Sequence, residues 1–150
     1  MGSILDDIDV QLDYGDDAIK YIIMQFIKDN YVVYDDNWHR PISPSPSHIE
    51  ISNEPNDNGK YEVSSKYSVD VKNLNISSLT NGMFVWNIVD GDFNCGCCKN
   101  LTSLDGAPKK VNGHFSCYKC GGEFTKADVW QICDVCKNKI HIKLFDLYDY

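Results

Sequence analysis

At 150 residues, 43% hydrophobic and 24% charged, the chain can bury a core of its own, which excludes wholesale disorder. The net charge of −8 is concentrated at the front: residues 1–36 hold nine Asp and two Lys, a balance of −7, and the rest is nearly neutral. That pattern and a single arginine, Arg40, argue against duplex DNA as a partner, because such binding depends on clustered Lys and Arg releasing counterions.

The first six front aspartates, Asp6, Asp7, Asp9, Asp13, Asp16 and Asp17, form an acidic segment suited to a basic protein surface, or simply to keeping the chain in solution. Asp16-Asp17 then opens an amphipathic helix. Ala18, Ile19, Ile22, Ile23, Phe26 and Ile27 recur at the three- and four-residue steps of one face, and the two acids suit its N-terminus. Asp29-Asn30 ends the helix, and Tyr31-Val32-Val33-Tyr34 reads as a short strand. Trp38, His39 and Arg40 follow, a loop cluster of the residue types that dominate binding hot spots, against which stands the plainer role of Trp38 as a plug at the core's edge. Pro41, Pro44 and Pro46 then predict an exposed, stiff connector over residues 41–47, since proline cannot donate to a sheet ladder. Ile49 and Ile51, the Asn58-Gly59 turn, and Tyr61 and Val63 predict a hairpin.

Beyond residue 65 the chain repeats. Val89, Gly91, Phe93, Cys95 and Cys98 match Val111, Gly113, Phe115, Cys117 and Cys120 at a constant offset of 22 residues, and Ile76 and Leu79 match Leu101 and Leu104 at an offset of 25. Tyr67, Val69 and Val71 alternate as an earlier strand, and Ile140, Ile142 and Leu144 as a closing one. Each Phe-x-Cys strand would turn two side chains inward, and because one unit buries too little alone, copies would stack in parallel. Thr125 to Asp128 carry a capping signature for a second helix, buried through Ala127, Val129, Trp130 and Cys133, so that residues 123–145 form a terminal cap.

The run Phe93-x-Cys95-x-x-Cys98, then Asn100-Leu-Thr-Ser-Leu-Asp-Gly-Ala-Pro108, then Val111, Gly113 and Phe115-x-Cys117-x-x-Cys120 carries a family resemblance. It resembles the short leucine-rich-repeat-like modules of small proteins from tailed bacteriophages and some bacteria, in which a Leu-Thr-Ser-Leu-x-Gly-Ala-Pro turn separates Gly-x-Phe-x-Cys strands. The match spans residues 73–122. The resemblance implies a repeat scaffold that binds partners and has no shared catalytic activity. The expected fold is therefore α+β: an acidic N-terminal region of helix and short strands over residues 1–65, then over 66–150 a short leucine-rich-repeat-like β-solenoid capped by a C-terminal helix and strand.

Seven cysteines without an export signal point to a reducing compartment. Three Cys-x-x-Cys pairs offer two competing zinc arrangements. Cys117, Cys120, Cys133 and Cys136 have a zinc-ribbon spacing with Gly121-Gly122 placed for a knuckle, while Cys95, Cys98, Cys117 and Cys120 also fall in range. The repeat explains two pairs without metal, as buried thiols, so no cofactor is favoured and zinc is the alternative. Cys97 should face outward as a free thiol, and His114 and His141 should lie on the surface. No nucleophile–base pair or phosphate-cradling loop is recognisable in the first half.

The functional expectation is a non-enzymatic, cytoplasmic protein-binding protein, phage-encoded, that modulates or inhibits a host or defence protein, with neither nucleic acid nor membrane as partner. The alternative is a zinc-ribbon nucleic-acid adaptor using Lys109, Lys110, Lys119, Lys126, Lys137, Lys139 and Lys143.

Overall fold

The computed structural model describes residues 18–35, 40–122, 124 and 140–141. Helix α1 (Ala18–Asn30) buries Ile23 and Ile27 completely, with Ile19, Met24 and Phe26 packed beside them. Ile22, placed on the apolar face by its spacing, is instead 39% exposed, because the buried stripe runs through positions 19, 23, 26 and 27. The helix ends where the Asn30 side chain turns back to donate to the Phe26 carbonyl at 2.9 Å. The Asn30 carbonyl in turn accepts from the Lys72 amide at 2.9 Å, tying the helix end to a distant strand.

The strands are β1 (Tyr31–Tyr34), β2 (Pro41–Ile42), β3 (Ile49–Ile51), β4 (Tyr61–Ser65), β5 (Ser68–Val71), β6 (Phe84–Val89), β7 (Phe93–Asn94), β8 (Lys110–Val111), β9 (Phe115–Ser116) and β10 (Ile140–His141). They form two sheets, a six-stranded one in the order β10-β9-β7-β5-β1-β2 and a four-stranded one in the order β3-β4-β6-β8. From β4 to β9 successive strands alternate between the sheets. Parallel pairs join β5 to β7, β7 to β9 and β9 to β10 in the first, and β4 to β6 and β6 to β8 in the second. Antiparallel pairs add β1 beside β5, β2 beside β1 and β3 beside β4.

The leucine-rich-repeat-like solenoid with a C-terminal helical cap is thus not the architecture. The described chain is α+β with one helix, on its N-terminal side, and two mixed sheets. A solenoid needs every unit to lay its strand parallel on the last. Here β1 runs antiparallel to β5, with Tyr31 opposite Val71 and Val33 opposite Val69, and occupies the place that an earlier parallel coil would take. The expected helix from Thr125 and most of the terminal cap lie outside the described residues.

What the 22-residue period does encode is local: Phe93 pairs with Phe115 and Asn94 with Ser116 in a parallel register. The glycines of the unit serve this close approach. A Cβ on Gly113 would meet the Asp92 carboxylate and fall 2.9 Å from the Gly91 carbonyl carbon, and one on Gly91 would fall 2.7 Å from the Ser68 amide nitrogen. The Gly113 amide donates to that Gly91 carbonyl at 2.9 Å.

The proline run also departs from expectation. Pro41 pairs with Tyr34 in β2 and Pro44 is buried, so the segment is not a wholly exposed connector. Pro41 is tolerated because β2 is the sheet's edge, where no further strand asks for its missing donor. The hairpin forms as β3 and β4, with Ile51 opposite Val63, and the Asn56 side chain holds its loop by accepting from the Asn58 and Lys60 amides.

Between the sheets lies one core, containing Tyr31, Phe84, Trp86, Phe93 and Phe115 with exposures of 0–1%. Tyr31 and Trp86 meet edge-on at 5.3 Å between ring centroids and Trp86 and Phe93 at 6.0 Å, while Phe93 and Phe115 are tilted at 5.5 Å. The Tyr31 hydroxyl donates to the Leu79 carbonyl at 2.6 Å and accepts from Trp86 Nε1 at 3.4 Å, so the polar tip of a buried ring is satisfied. Among the described residues no helix is long and apolar enough to cross a membrane.

Candidate functional site

The turn that follows each Phe-x-Cys strand places the thiols. After β7 the Asn94 side chain accepts from the Gly96 amide at 2.9 Å, and Cys97 takes a left-handed conformation at φ 66°. After β9 the equivalent residue, Lys119, does the same at φ 56°. The two turns lie against each other, with the Cys95 and Cys97 amides donating to the Ser116 and Tyr118 carbonyls at 2.8 Å each. The identical bend turns the second cysteine of each pair back toward the interior: Cys95, Cys98 and Cys117 are buried, and Cys120 is half-buried. Cys97 is exposed, as its outward position in the repeat predicts.

The thiol chemistry is unequal. The Cys120 thiol lies 3.1 Å from the Cys95 carbonyl, to which it donates, and its sulfur is hydrogen-bonded to the Cys95 side chain. The bond from Cys95, with a smaller contribution from the Cys98 backbone, outweighs burial and brings Cys120 down to about 7. The same contact, together with complete burial and the neighbouring sulfurs of Cys117, Cys120 and Cys98, raises Cys95 well above the ordinary thiol range. Burial pushes Cys98 up to about 12, and its thiol points to the Gly96 carbonyl at 3.8 Å. One thiol in the group is therefore poised to ionise beside others held neutral.

The zinc arrangements fare differently. Cys98, Cys117 and Cys120 are close enough to Cys95 to perturb its thiol, but among the described residues no group of three or more metal-ligating side chains is arranged to hold an ion. Of the preferred set, Cys117 and Cys120 are described, while Cys133 and Cys136 lie outside the described residues. Gly121 and Gly122, read as knuckle residues, donate their amides to the Cys98 and Leu101 carbonyls at 3.2 and 2.9 Å. A Cβ on Gly121 would come within 3.1 Å of the Lys99 carbonyl carbon, so close turn-on-turn packing accounts for this glycine.

Of the expected partner-binding residues, Asp6, Asp7, Asp9, Asp13, Asp16, Asp17, Trp38 and His39 lie outside the described residues. Arg40 is described: its side chain is 81% exposed and forms a long ion pair of 3.9 Å with Asp35. His114 is half-buried, and its amide donates to the Asp92 carboxylate at 2.7 Å, part of the close turn around Gly113. His141 is described by its strand position alone, opposite Ser116.

Asp70 went unremarked in the sequence. It lies between Val69 and Val71, on the side of the six-stranded sheet away from the core, opposite Asn94, and burial raises its carboxyl to about 6. The alternation that marks Val69 and Val71 as inward was sufficient to place it. Compared with protein-family models, with curated proteins and with solved structures, the chain shows no match.

Proposed function

We propose that this chain is a non-enzymatic protein-binding module, a phage-encoded modulator or inhibitor of a host or defence protein that works in the host cytoplasm. The observation that carries this reading is the placement of charge: a balance of −7 sits in residues 1–36, beside a remainder that is nearly neutral. Such a segment favours a basic protein surface by long-range attraction and speeds encounter. Its first 17 residues lead directly into α1, which Ile23 and Ile27 fasten to the core, so they are tethered to a rigid body. Arg40, exposed beside Trp38 and His39 in sequence, offers a second contact region of hot-spot residue types. The resemblance to phage repeat modules supports the proposed origin.

The test is capture from host lysate with the full chain, beside a variant in which Asp6, Asp7, Asp9, Asp13, Asp16 and Asp17 are replaced by Asn. A partner that survives nuclease treatment, weakens with rising salt and is lost with the variant is the expected result. Removal of every partner by nuclease refutes protein binding, and undiminished capture by the variant refutes the acidic segment as its surface.

A further inference from the structure

We propose that Cys120 and Cys95 form a peroxide-responsive thiol pair, in which the half-buried Cys120 is oxidised first and the buried Cys95 resolves it to a disulfide.

The geometry gives each sulfur its part. Cys120 has access to solvent, whereas Cys95, Cys98 and Cys117 are buried. Its thiol donates to the Cys95 carbonyl oxygen at 3.1 Å, which sets the Cys120 sulfur against the residue whose thiol it would join. Of the other near thiols, Cys98 is directed to the Gly96 carbonyl, and Cys117 is buried like Cys95 and belongs to the same unit as Cys120. The pair joins different units: Cys95 follows β7 and Cys120 follows β9, whose strands are hydrogen-bonded neighbours. A bond between them would close a loop across two adjacent turns while leaving the strand register intact.

The oxidant is a hydroperoxide. The Cys120 sulfur attacks its terminal oxygen, the O–O bond breaks, and the thiol proton leaves with the departing alcohol or water, giving a sulfenic acid. The Cys95 sulfur then attacks the Cys120 sulfur. The S–O bond breaks, the hydroxyl departs as water with the Cys95 proton, and an S–S bond forms. Two thiols lose two electrons, and the peroxide gains them. A thiol reductant reverses the change.

The experiment treats the fully reduced 150-residue chain with hydrogen peroxide, blocks the remaining thiols by alkylation and maps the peptides without reduction. The expected result is the loss of two of the seven thiols, a peptide linking Cys95 to Cys120, and full recovery with dithiothreitol. Cys97→Ser should leave the link in place, and Cys120→Ser should abolish it while near-UV dichroism stays native. In Cys95→Ala, dimedone should trap a sulfenic acid on Cys120. If that variant fails to fold, the Cys97→Ser and Cys120→Ser pair still decides the matter. Oxidation confined to Cys97, or a link from Cys120 to Cys98, Cys117, Cys133 or Cys136, overturns the proposal.

Discussion

Tyr31→Phe removes one oxygen atom from the centre of the core and leaves the ring in place. That oxygen donates to the Leu79 carbonyl at 2.6 Å and accepts from Trp86 Nε1 at 3.4 Å, in a side chain that is 1% exposed. The aromatic contacts with Trp86 and Phe93 survive, so the cost arises from the two polar groups left behind. The Trp86 bond is long and contributes little; the Leu79 carbonyl loses a short, buried donor, which costs about 1–3 kcal/mol. With a urea slope of about 2 kcal/mol/M, a loss of about 2 kcal/mol lowers the unfolding midpoint by about 1 M. Burial also raises the Tyr31 hydroxyl far above its ordinary value. Because the folded state holds this proton after the unfolded chain has released it, its contribution is complete below about pH 10 and declines as pH rises further. Equilibrium urea unfolding at neutral pH and at several alkaline values measures both effects. The variant should be weaker at pH 7 and lose less stability on going to alkali. An unchanged midpoint, or an unchanged alkaline slope, refutes the assignment of this hydroxyl as a buried, satisfied donor.

Asp70→Asn should raise the melting temperature at pH 7 and leave it unaltered near pH 3. Burial lifts this carboxyl to about 6, so the wild-type chain is relieved of its penalty below the unfolded value and loses stability as pH rises through about 6. Gly113→Ala forces a methyl group against the Asp92 carboxylate and the Gly91 carbonyl, and should cost several times more than Gly59→Ala, where φ is +77° but nothing lies within 4 Å. The second change costs about 1–2 kcal/mol of left-handed strain, and urea unfolding of the two variants gives the comparison. Incubation with a strong zinc chelator should leave far-UV dichroism unchanged. Loss of structure together with release of stoichiometric zinc would instead assign Cys117, Cys120, Cys133 and Cys136 as ligands and favour the nucleic-acid adaptor.

The parts of the fold legible in the sequence are those in which spacing alone carries the physics. A 22-residue step between like residues sets Phe93 beside Phe115, because stacking equivalent positions satisfies the same inward contacts twice. The α1 stripe and the β3–β4 hairpin are local, and periodicity and turn chemistry suffice for them. The second sheet was hidden because Phe84–Val89 is a nearly continuous apolar run, without the alternation that marks a half-solvated strand, although Asn81-Gly82 and Gly91 bound it. The antiparallel partnership of β1 with β5 joins residues far apart in the chain, from Tyr31 with Val71 to Tyr34 with Ser68, and no short-range signal announces it. The Cys120–Cys95 contact escaped for a related reason. Sequence spacing groups 95 with 98 and 117 with 120, whereas the fold sets the second thiol of one unit against the carbonyl of the first cysteine of the unit before it.

Two of the four edge strands, β2 and β8, have consequences for how the molecule behaves in a crowded solution. Beyond β2 a passing chain meets Pro41, which offers no amide hydrogen; beyond β8, among the described residues, it meets Lys109 and Lys110, both exposed, and must bury cationic heads to dock. Both margins are only two residues long. Strand-by-strand recruitment of further copies is opposed at these two margins, by a missing amide donor on one and by electrostatics on the other.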